Sequence, residues 1–270
     1  MTKSLIVAGR EFRCLGRGRT GKALLLCAGA ALLVAIAAGG RSASAVPAGE
    51  GRLGASLAGL ALLLSSLTAC VAGALSFSLE EEGGMAPLLR SFGLSGAEYL
   101  GGKYAGAAIW SAAVSAVAIV LAATLAEPSI AAASLLALAL SSLAASAVYA
   151  AWGAFWGLAG RSPLSAAGSA LAFWLITVFA YEGGLWALLP ALPYRIAKPA
   201  LAVFLSADPA EALRLGTAFL AGRGAVYGPE FYYWQRFLAE PAGIACALAL
   251  LVAHVALPLA LAAAASRRRS

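Results

Sequence analysis

The sequence is poor in charged residues. Asp, Glu, Lys and Arg make up 11% of its 270 positions, whereas soluble domains carry about 25%. A large core does not explain this deficit, because a chain of this length in water must still cover itself with polar surface. Hydrophobic residues reach 62% of the chain. The composition therefore predicts an integral membrane protein.

Residue types that bind metals or carry out acid–base chemistry are also scarce. The chain has one histidine, His254, two methionines and four cysteines, and the cysteines form no C-x-x-C pair. A copper path needs several Met, Cys or His side chains that face one another, and no such set can be assembled from this sequence. We therefore expect no metal site, no catalytic residue and no cofactor in this chain. We expect the cysteines to be buried and to act as small apolar residues.

The net charge of +7 comes without a basic patch interleaved with aromatic residues, so we expect no binding to nucleic acid. In a membrane protein such an imbalance usually reports orientation. If the N-terminus is inside, the inner segments 1–22, 78–103, 159–163 and 266–270 hold 12 of the 19 Lys and Arg residues. This bias predicts that both termini lie in the cytoplasm.

Six apolar runs are each long enough to cross a bilayer at about 1.5 Å per residue. They cover residues 23–38, 53–77, 104–125, 130–158, 164–189 and 242–265. Ala43-Ser44-Ala45 resembles a signal-peptidase site, but the long basic region before it contains Glu11 and favours an uncleaved first span. The expected fold class is all-α, with one transmembrane domain over residues 1–270.

Two shorter patterns refine this picture. Leu5, Ile6, Phe12 and Leu15 recur at roughly helical spacing within the basic residues 1–22, which predicts an amphipathic helix lying on the membrane. Small-residue motifs inside the spans permit close contact between helices. These motifs are Gly102-x-x-x-Gly106 and Gly153-x-x-x-Gly157.

Residues 78–103, between the second and third spans, open with three carboxylates. A Glu triplet is too costly to sit in hydrocarbon, so this segment must lie in water at the membrane face. A Gly-Gly pair, a Leu-Leu pair, an arginine and a final Gly-Lys follow. The residues are Glu80, Glu81, Glu82, Gly83, Gly84, Leu88, Leu89, Arg90, Gly102 and Lys103. The pattern resembles the cytoplasmic loop of the type-2, exporter-class ABC transporter permeases.

This resemblance implies both a role and partners. In that family the loop is a coupling helix that presses into the ATPase subunit, so the residues from Glu80 to Arg90, together with Lys103, would couple to the ATPase. ATP and Mg would bind to two copies of that separate subunit. Two copies of this chain would form the pathway in the lipid bilayer of a bacterial inner membrane.

Residues 190–240, between the fifth and sixth spans, are expected to form a helical cap on the outer side. Asp208 has the features of an N-cap, Pro209 of a first helical residue and Glu211 of the partner in a capping box. Gly222 then ends a helix of about three turns. This helix is too short to be stable alone in water and must pack on another surface.

The same segment narrows the resemblance. The stretch from Asp208 to Leu215 resembles the segment before the last helix of the NosY-type permeases of nitrous oxide reductase maturation, a copper-processing system. That resemblance implies a periplasmic repeat protein as a partner. The expected docking residues are Asp208, Pro209, Glu211, Arg214, Leu215 and Phe219. The aromatic residues between Tyr227 and Phe237 mark either an interface belt or part of the docking surface.

Other interpretations stay open. An ABC exporter of a drug, lipid or polysaccharide would carry the same coupling loop, and a membrane scaffold without transport is a further alternative. An intramembrane protease would need a second histidine beside His254. Glu182, the carboxylate inside the fifth run, lies either on a transport pathway or near the outer surface, where Gly183-Gly184 breaks the run.

Overall fold

The computed structural model describes residues 3–42, 51–85, 88–89, 93–126, 132–188, 193, 203–220 and 232–267. Every regular element in these ranges is helical, as predicted, and none is a strand. The helices are α1 (Lys3–Arg17), α2 (Arg19–Ser42), α3 (Gly51–Glu82), α4 (Gly96–Ala126), α5 (Ala132–Ala159), α6 (Pro163–Leu175), α7 (Tyr181–Leu188), α8 (Pro209–Leu220), α9 (Tyr232–Ala239) and α10 (Pro241–Arg267). A π-helical stretch, Ile176–Ala180, joins α6 to α7.

Five helical stretches in the described ranges are long and apolar enough to cross a membrane. They are Gly59–Glu82, Gly96–Leu121, Leu135–Ala159, Pro163–Gly184 and Pro241–Arg267. They correspond to five of the six predicted spans and indicate a multi-pass membrane protein. The first predicted span, residues 23–38, falls within α2. The side chains of residues 31–42 lie outside the described part of the chain, so this span stays a prediction, as does the orientation.

α3 and α5 form the centre of the bundle, and glycine permits their close contact. A Cβ added at Gly157 would stand 2.6 Å from the carbonyl oxygen of Ala74, too close for a real contact. Gly153 approaches the backbone of Cys70 in the same way. The predicted contact through Gly153-x-x-x-Gly157 is thus confirmed. α4, α6 and α10 pack around this pair.

α1 confirms the helix predicted near the N-terminus and packs along α4. A Cβ at Gly102 would stand 2.7 Å from the carbonyl oxygen of Ser4, and one at Gly106 would stand 2.6 Å from Cβ of Glu11. The motif Gly102-x-x-x-Gly106 therefore makes the close contact that we predicted. Its partner is the first helix of the chain.

α8 begins at Pro209, as the sequence predicted. The Asp208 carboxylate accepts a hydrogen bond from the Glu211 N–H at 3.0 Å, which confirms the N-cap. The reciprocal half of the predicted capping box is replaced by other bonds. The Asp208 N–H donates to the carbonyl of Phe204, and the Glu211 side chain accepts from Arg214.

Part of the predicted outer cap packs on the helices of the bundle, and the position of this segment on the outer side stays a prediction. α8 packs on α3, α5 and α10, and its residues Ala210 and Leu213 are buried. Just before it, the Ser206 carbonyl oxygen lies 3.0 Å from Nε2 of His254, a residue midway along α10. A helix this short gains stability only from packing, and the bundle supplies the surface.

The cysteines are less buried than predicted. Cys70 is buried at the centre of the bundle, but Cys14, Cys27 and Cys246 are exposed. The prediction is wrong for these three because α1, α2 and α10 present them on the outside of the bundle. For Cys27 and Cys246, on apolar helices, a membrane would provide the apolar surroundings that we had expected from the protein core.

Candidate functional site

A buried polar cluster lies beside the connection between α3 and α4. Its members come from α1, α3 and α4, and we call it the Lys103 cluster. They are Arg10, Glu11, Ser76, Glu80, Tyr99 and Lys103. The side chain of Lys103 is 1% exposed, and its Nζ lies 3.1 Å from Glu11 Oε2 and 2.8 Å from Glu80 Oε2. The same Nζ donates to the Ser76 carbonyl at 3.1 Å.

Both carboxylates of the cluster have further partners. Arg10 Nη2 lies 2.7 Å from Glu80 Oε1, and the Tyr99 hydroxyl donates to Glu80 Oε2 at 3.0 Å. The Ser76 hydroxyl donates to Glu11 Oε1 at 2.7 Å. Each carboxylate therefore combines ion pairing with a hydrogen bond, which is what burial of a charge requires.

Aromatic rings complete the surroundings of the lysine. Lys103 Nζ lies 5.4 Å from the ring centroid of Phe77 and 5.7 Å from that of Tyr99. Both distances are within the range of about 6 Å in which a cation is attracted to a ring face. The cluster holds two cations and two carboxylates, so its formal charges balance.

Such a cluster joins three helices firmly. Removing one partner from a buried ion pair typically costs about 3–5 kcal/mol, because the other charge is left uncompensated. α1, α3 and α4 can therefore separate only if several buried charges lose their partners. The cluster makes these three helices one mechanical unit at the end of α3.

Two of the residues predicted to couple to the ATPase belong to this cluster. Lys103 is buried, and the Glu80 side chain is 15% exposed. Sequence analysis placed both on the loop, because a charge beside an apolar run usually lies in water. In the structure both are paired within the protein, and their coupling role stays a prediction.

Other predicted coupling residues do lie at the surface. Glu82 is exposed at the last position of α3, and Glu81 beside it is half-buried. Gly83 and Gly84 form the exposed turn that follows. Gly84 has a φ of 68°, a left-handed conformation that favours glycine. The Gly-Gly pair thus ends the helix and turns the chain.

The two side chains of the Leu-Leu pair have different surroundings. Leu88 is 48% exposed, whereas Leu89 packs against the buried group that contains Phe77. Arg90 lies outside the described residues. The coupling role of the surface that carries Leu88 and Glu82 stays a prediction.

Sequence analysis missed four members of the Lys103 cluster, which are Arg10, Glu11, Ser76 and Tyr99. One signal was available. Glu11 lies four residues from both Val7 and Leu15, so it belongs to the apolar stripe that α1 buries. A carboxylate in such a stripe implies a buried cationic partner, although the sequence does not show which one.

A second polar cluster joins α8 to the π-helical stretch and α7, and we call it the Arg214 cluster. Arg214 Nη1 forms ion pairs with Glu182 and, at 2.9 Å, with Glu211. Its Nη2 donates to the Val178 carbonyl at 3.3 Å. The Val178 carbonyl belongs to the π-helical stretch, at whose end the Tyr181 N–H donates to the carbonyl of Ile176, five residues back. Such irregular turns often occur at functional sites.

This second cluster is more open and unbalanced in charge. The side chains of Arg214, Glu182 and Glu211 are 21%, 41% and 11% exposed. Asp208 lies nearby and is itself buried. Burial raises the pKa of Asp208 to about 7. Burial also raises the pKa of Glu211, although the attraction of Arg214 opposes that rise.

A small cleft, with room for about one water molecule, adjoins the Arg214 cluster. It lies between α3, α5, the π-helical stretch and α8, and Arg214 is its charged wall. Its other lining residues are Gly59, Leu62, Leu63, Ser66, Ala145, Tyr149, Val178, Ala210 and Leu213. The Tyr149 hydroxyl is 3.0 Å from that of Thr177. The cleft is thus apolar with a few polar groups at its edge.

The predicted docking residues on α8 are mostly turned into the protein. Asp208, Pro209 and Glu211 are buried, and Arg214 is engaged in its cluster. Leu215 is partly exposed. The side chain of Phe219 lies outside the described residues. The docking role stays a prediction, and within it the buried residues would position the helix and would not touch a partner.

Among the residues that the structure describes, no group of three or more His, Cys, Asp or Glu side chains could hold a metal ion. The chain matches no known protein-family model, and no curated protein is detectably similar to it. Functional inference therefore depends on the resemblance of the loop and on the two clusters.

Proposed function

We propose that this chain is the membrane-spanning permease subunit of an ABC transporter. It receives ATP-driven motion from a separate ATPase and passes that motion to the opposite end of its helix bundle. The observation that carries the proposal is the position of the Lys103 cluster. It lies directly behind the exposed end of α3, where Glu82 and the following turn face away from the bundle.

Force transmission requires a stiff connection behind the contact surface. A push on the turn after Glu82 reaches Glu80 within the same helix, and from there Lys103 on α4 and Arg10 on α1. Because Lys103 is 1% exposed, its ion pairs with Glu11 on α1 and Glu80 on α3 resist separation more than exposed pairs, which contribute about 1 kcal/mol or less. α1, α3 and α4 would therefore move together.

The Arg214 cluster suits the opposite role. α8 lies between α3, α5 and α10 and forms one wall of the cleft. In the proposal α8 is the movable gate of a pathway, held closed by the ion pair of Arg214 with Glu182 and by the hydrogen bond from Arg214 to the Val178 carbonyl. Because Glu182 is 41% exposed, it regains water when this pair separates, so opening costs less than it would at the Lys103 cluster.

The finer assignment is to the NosY-type permeases, which process copper for nitrous oxide reductase. In this assignment two copies of the chain and two ATPase subunits assemble, and α8 docks a periplasmic repeat protein through the face that carries Leu215. This chain would transmit motion without holding the metal. Neighbouring genes for a periplasmic repeat protein and a copper chaperone would support it, and drug or polysaccharide genes would favour another exporter.

ATPase stimulation tests the general proposal. The chain is purified together with a candidate ABC ATPase subunit and reconstituted in nanodiscs, and the unaltered chain is compared with Glu82→Lys. We expect the variant to insert normally and to lose most of the ATPase assembly or stimulation, because the contact surface changes its charge. The matched control is Glu240→Lys, an exposed carboxylate before α10, which should leave the ATPase unaffected.

The outcomes separate the alternatives. Stable assembly without any change in ATPase rate would indicate a scaffold and would contradict a transporter. Full stimulation by Glu82→Lys would refute the role of this surface. For the NosY-type assignment, Leu215→Ser with Phe219→Ser should release a periplasmic partner and retain the ATPase, as measured by pull-down from detergent. Retention of both partners would refute docking on α8.

A further inference from the structure

α1 has two faces with different surroundings. Its buried face carries Val7, Ala8, Glu11 and Leu15 and packs on α4. The rest of the helix exposes large apolar side chains, with Leu5 59%, Ile6 58% and Phe12 37% exposed. A helix beside a membrane-spanning bundle is expected to place such side chains at the boundary between lipid and water.

The exposed charge of the same region is entirely positive. Glu11 is the one acidic residue among positions 1–22, and it is buried in the Lys103 cluster. Five basic side chains are exposed on α1 and at the start of α2. Lys3 donates a hydrogen bond to the Gly93 carbonyl, which leaves four others. They are Arg13, Arg17, Arg19 and Lys22. None of the four forms a salt bridge with another residue in the described ranges.

Helical spacing places the apolar and basic side chains next to each other. Leu5 and Phe12 are seven residues apart and so share a stripe along α1. Ile6, Arg13 and Arg17 are spaced by seven and four residues and form the neighbouring stripe. Apolar side chains can therefore enter the acyl region of a leaflet while the guanidinium groups of the next stripe stay at phosphate level.

We propose that this face of α1, with the basic start of α2, is a binding surface for anionic phospholipid headgroups of the inner leaflet. The two stripes distinguish this partner from nucleic acid, which would leave Leu5 and Phe12 in water. The surface also has a structural consequence. Because Glu11 on the opposite face pairs with Lys103, lipid bound to α1 would hold the Lys103 cluster at a fixed depth in the membrane.

Lipid retention measured by native mass spectrometry tests the proposal. The purified full chain in zwitterionic detergent is mixed with equal amounts of phosphatidylglycerol and phosphatidylcholine, and we expect phosphatidylglycerol to be retained preferentially. Arg13→Gln with Arg17→Gln should reduce that preference by roughly 30-fold, since each cation near an anionic leaflet contributes about fivefold. Arg161→Gln with Arg236→Gln, which also removes two exposed arginines, should retain it.

Two further measurements keep the proposal falsifiable if the α1 variant fails to fold. Higher ionic strength should weaken the preference of the unaltered chain, because exposed charges are screened. Water-soluble glycerol phosphate should not displace phosphatidylglycerol, because it lacks acyl chains; displacement would indicate a site for free phosphate and would overturn the proposal. Equal retention of both lipids by the unaltered chain would also overturn it. So would an Arg13→Gln, Arg17→Gln variant that loses a copurifying protein partner but keeps the lipid preference, because this face would then bind a protein.

Discussion

The Lys103 and Arg214 clusters both surround one cation with two carboxylates, but they differ in enclosure and in charge. Lys103 is 1% exposed, and Arg10, which is 35% exposed at the edge of the cluster, supplies a second positive charge, so the central cation is enclosed and the formal charges balance. Arg214 is 21% exposed and faces Glu182 and Glu211, with Asp208 close by. The comparison indicates that the first cluster is built to stay intact and the second to rearrange.

The largest effect is expected at the enclosed cluster. Lys103→Met leaves two buried carboxylates without their shared cation and should lower the free energy of unfolding by about 3–5 kcal/mol. Lys22→Met, at an exposed position, should change it by less than about 0.5 kcal/mol. SDS titration of the purified protein, followed by tryptophan fluorescence, measures both values.

A combined variant separates ion pairing from packing at this cluster. Adding Glu11→Gln and Glu80→Gln to Lys103→Met removes the uncompensated charges and should recover a large part of the lost stability, since uncharged replacements of buried pairs are often tolerated. If Lys103→Met were as stable as Lys22→Met, the cluster would not join the three helices.

A smaller effect is expected at the open cluster. Arg214→Met should destabilise the protein by roughly 1–2 kcal/mol, because Glu182, which is 41% exposed, keeps access to water and only Glu211 is left buried without its cation. The same SDS titration provides the comparison with Lys103→Met. A loss equal to or larger than that of Lys103→Met would show that the two clusters do not differ in the way proposed.

A pH dependence of stability is expected from α8. Since the folded-state pKa of Asp208 is raised to about 7 from an ordinary value near 4, the folded state binds a proton that the unfolded state has released in this range. Stability should therefore decrease as pH rises from about 4 to about 7 and level off above it. Thermal unfolding across this range measures the slope.

Asp208→Asn is the matched variant, because Asn also serves as an N-cap. It should reduce the slope without removing it, since the pKa of Glu211 is raised as well. Stability that rises between pH 4 and pH 7, or a slope unchanged by Asp208→Asn, would contradict the burial of this carboxyl group.

The sequence predicted well what depends on local patterns. The capping residues near Asp208 fixed the start of α8, and apolar run length identified five helices that could span a membrane. The glycine motif at Gly153 and Gly157 predicted a close helix contact, though the sequence did not show that α3 was its partner.

Features that depend on distant residues were not predictable. From the sequence, Lys103 was placed at the edge of an aqueous loop. Its partner Glu11 lies far away in the sequence, on α1, and comes next to Lys103 only when the chain folds. The packing of α8 on the bundle likewise depends on contacts with α3, α5 and α10. A single sequence gives the capping of a short helix, but it does not give the surface on which that helix packs.

The π-helical stretch Ile176–Ala180 has a consequence for the rotational register of the fifth span. A π-turn accommodates one residue more than an α-turn, and each residue of an α-helix advances the chain by about 100° around the axis. Deleting one residue here would restore regular winding and swing Glu182 about a quarter-turn or more away from Arg214. The side of the helix on which that carboxylate emerges is therefore set by a single extra residue.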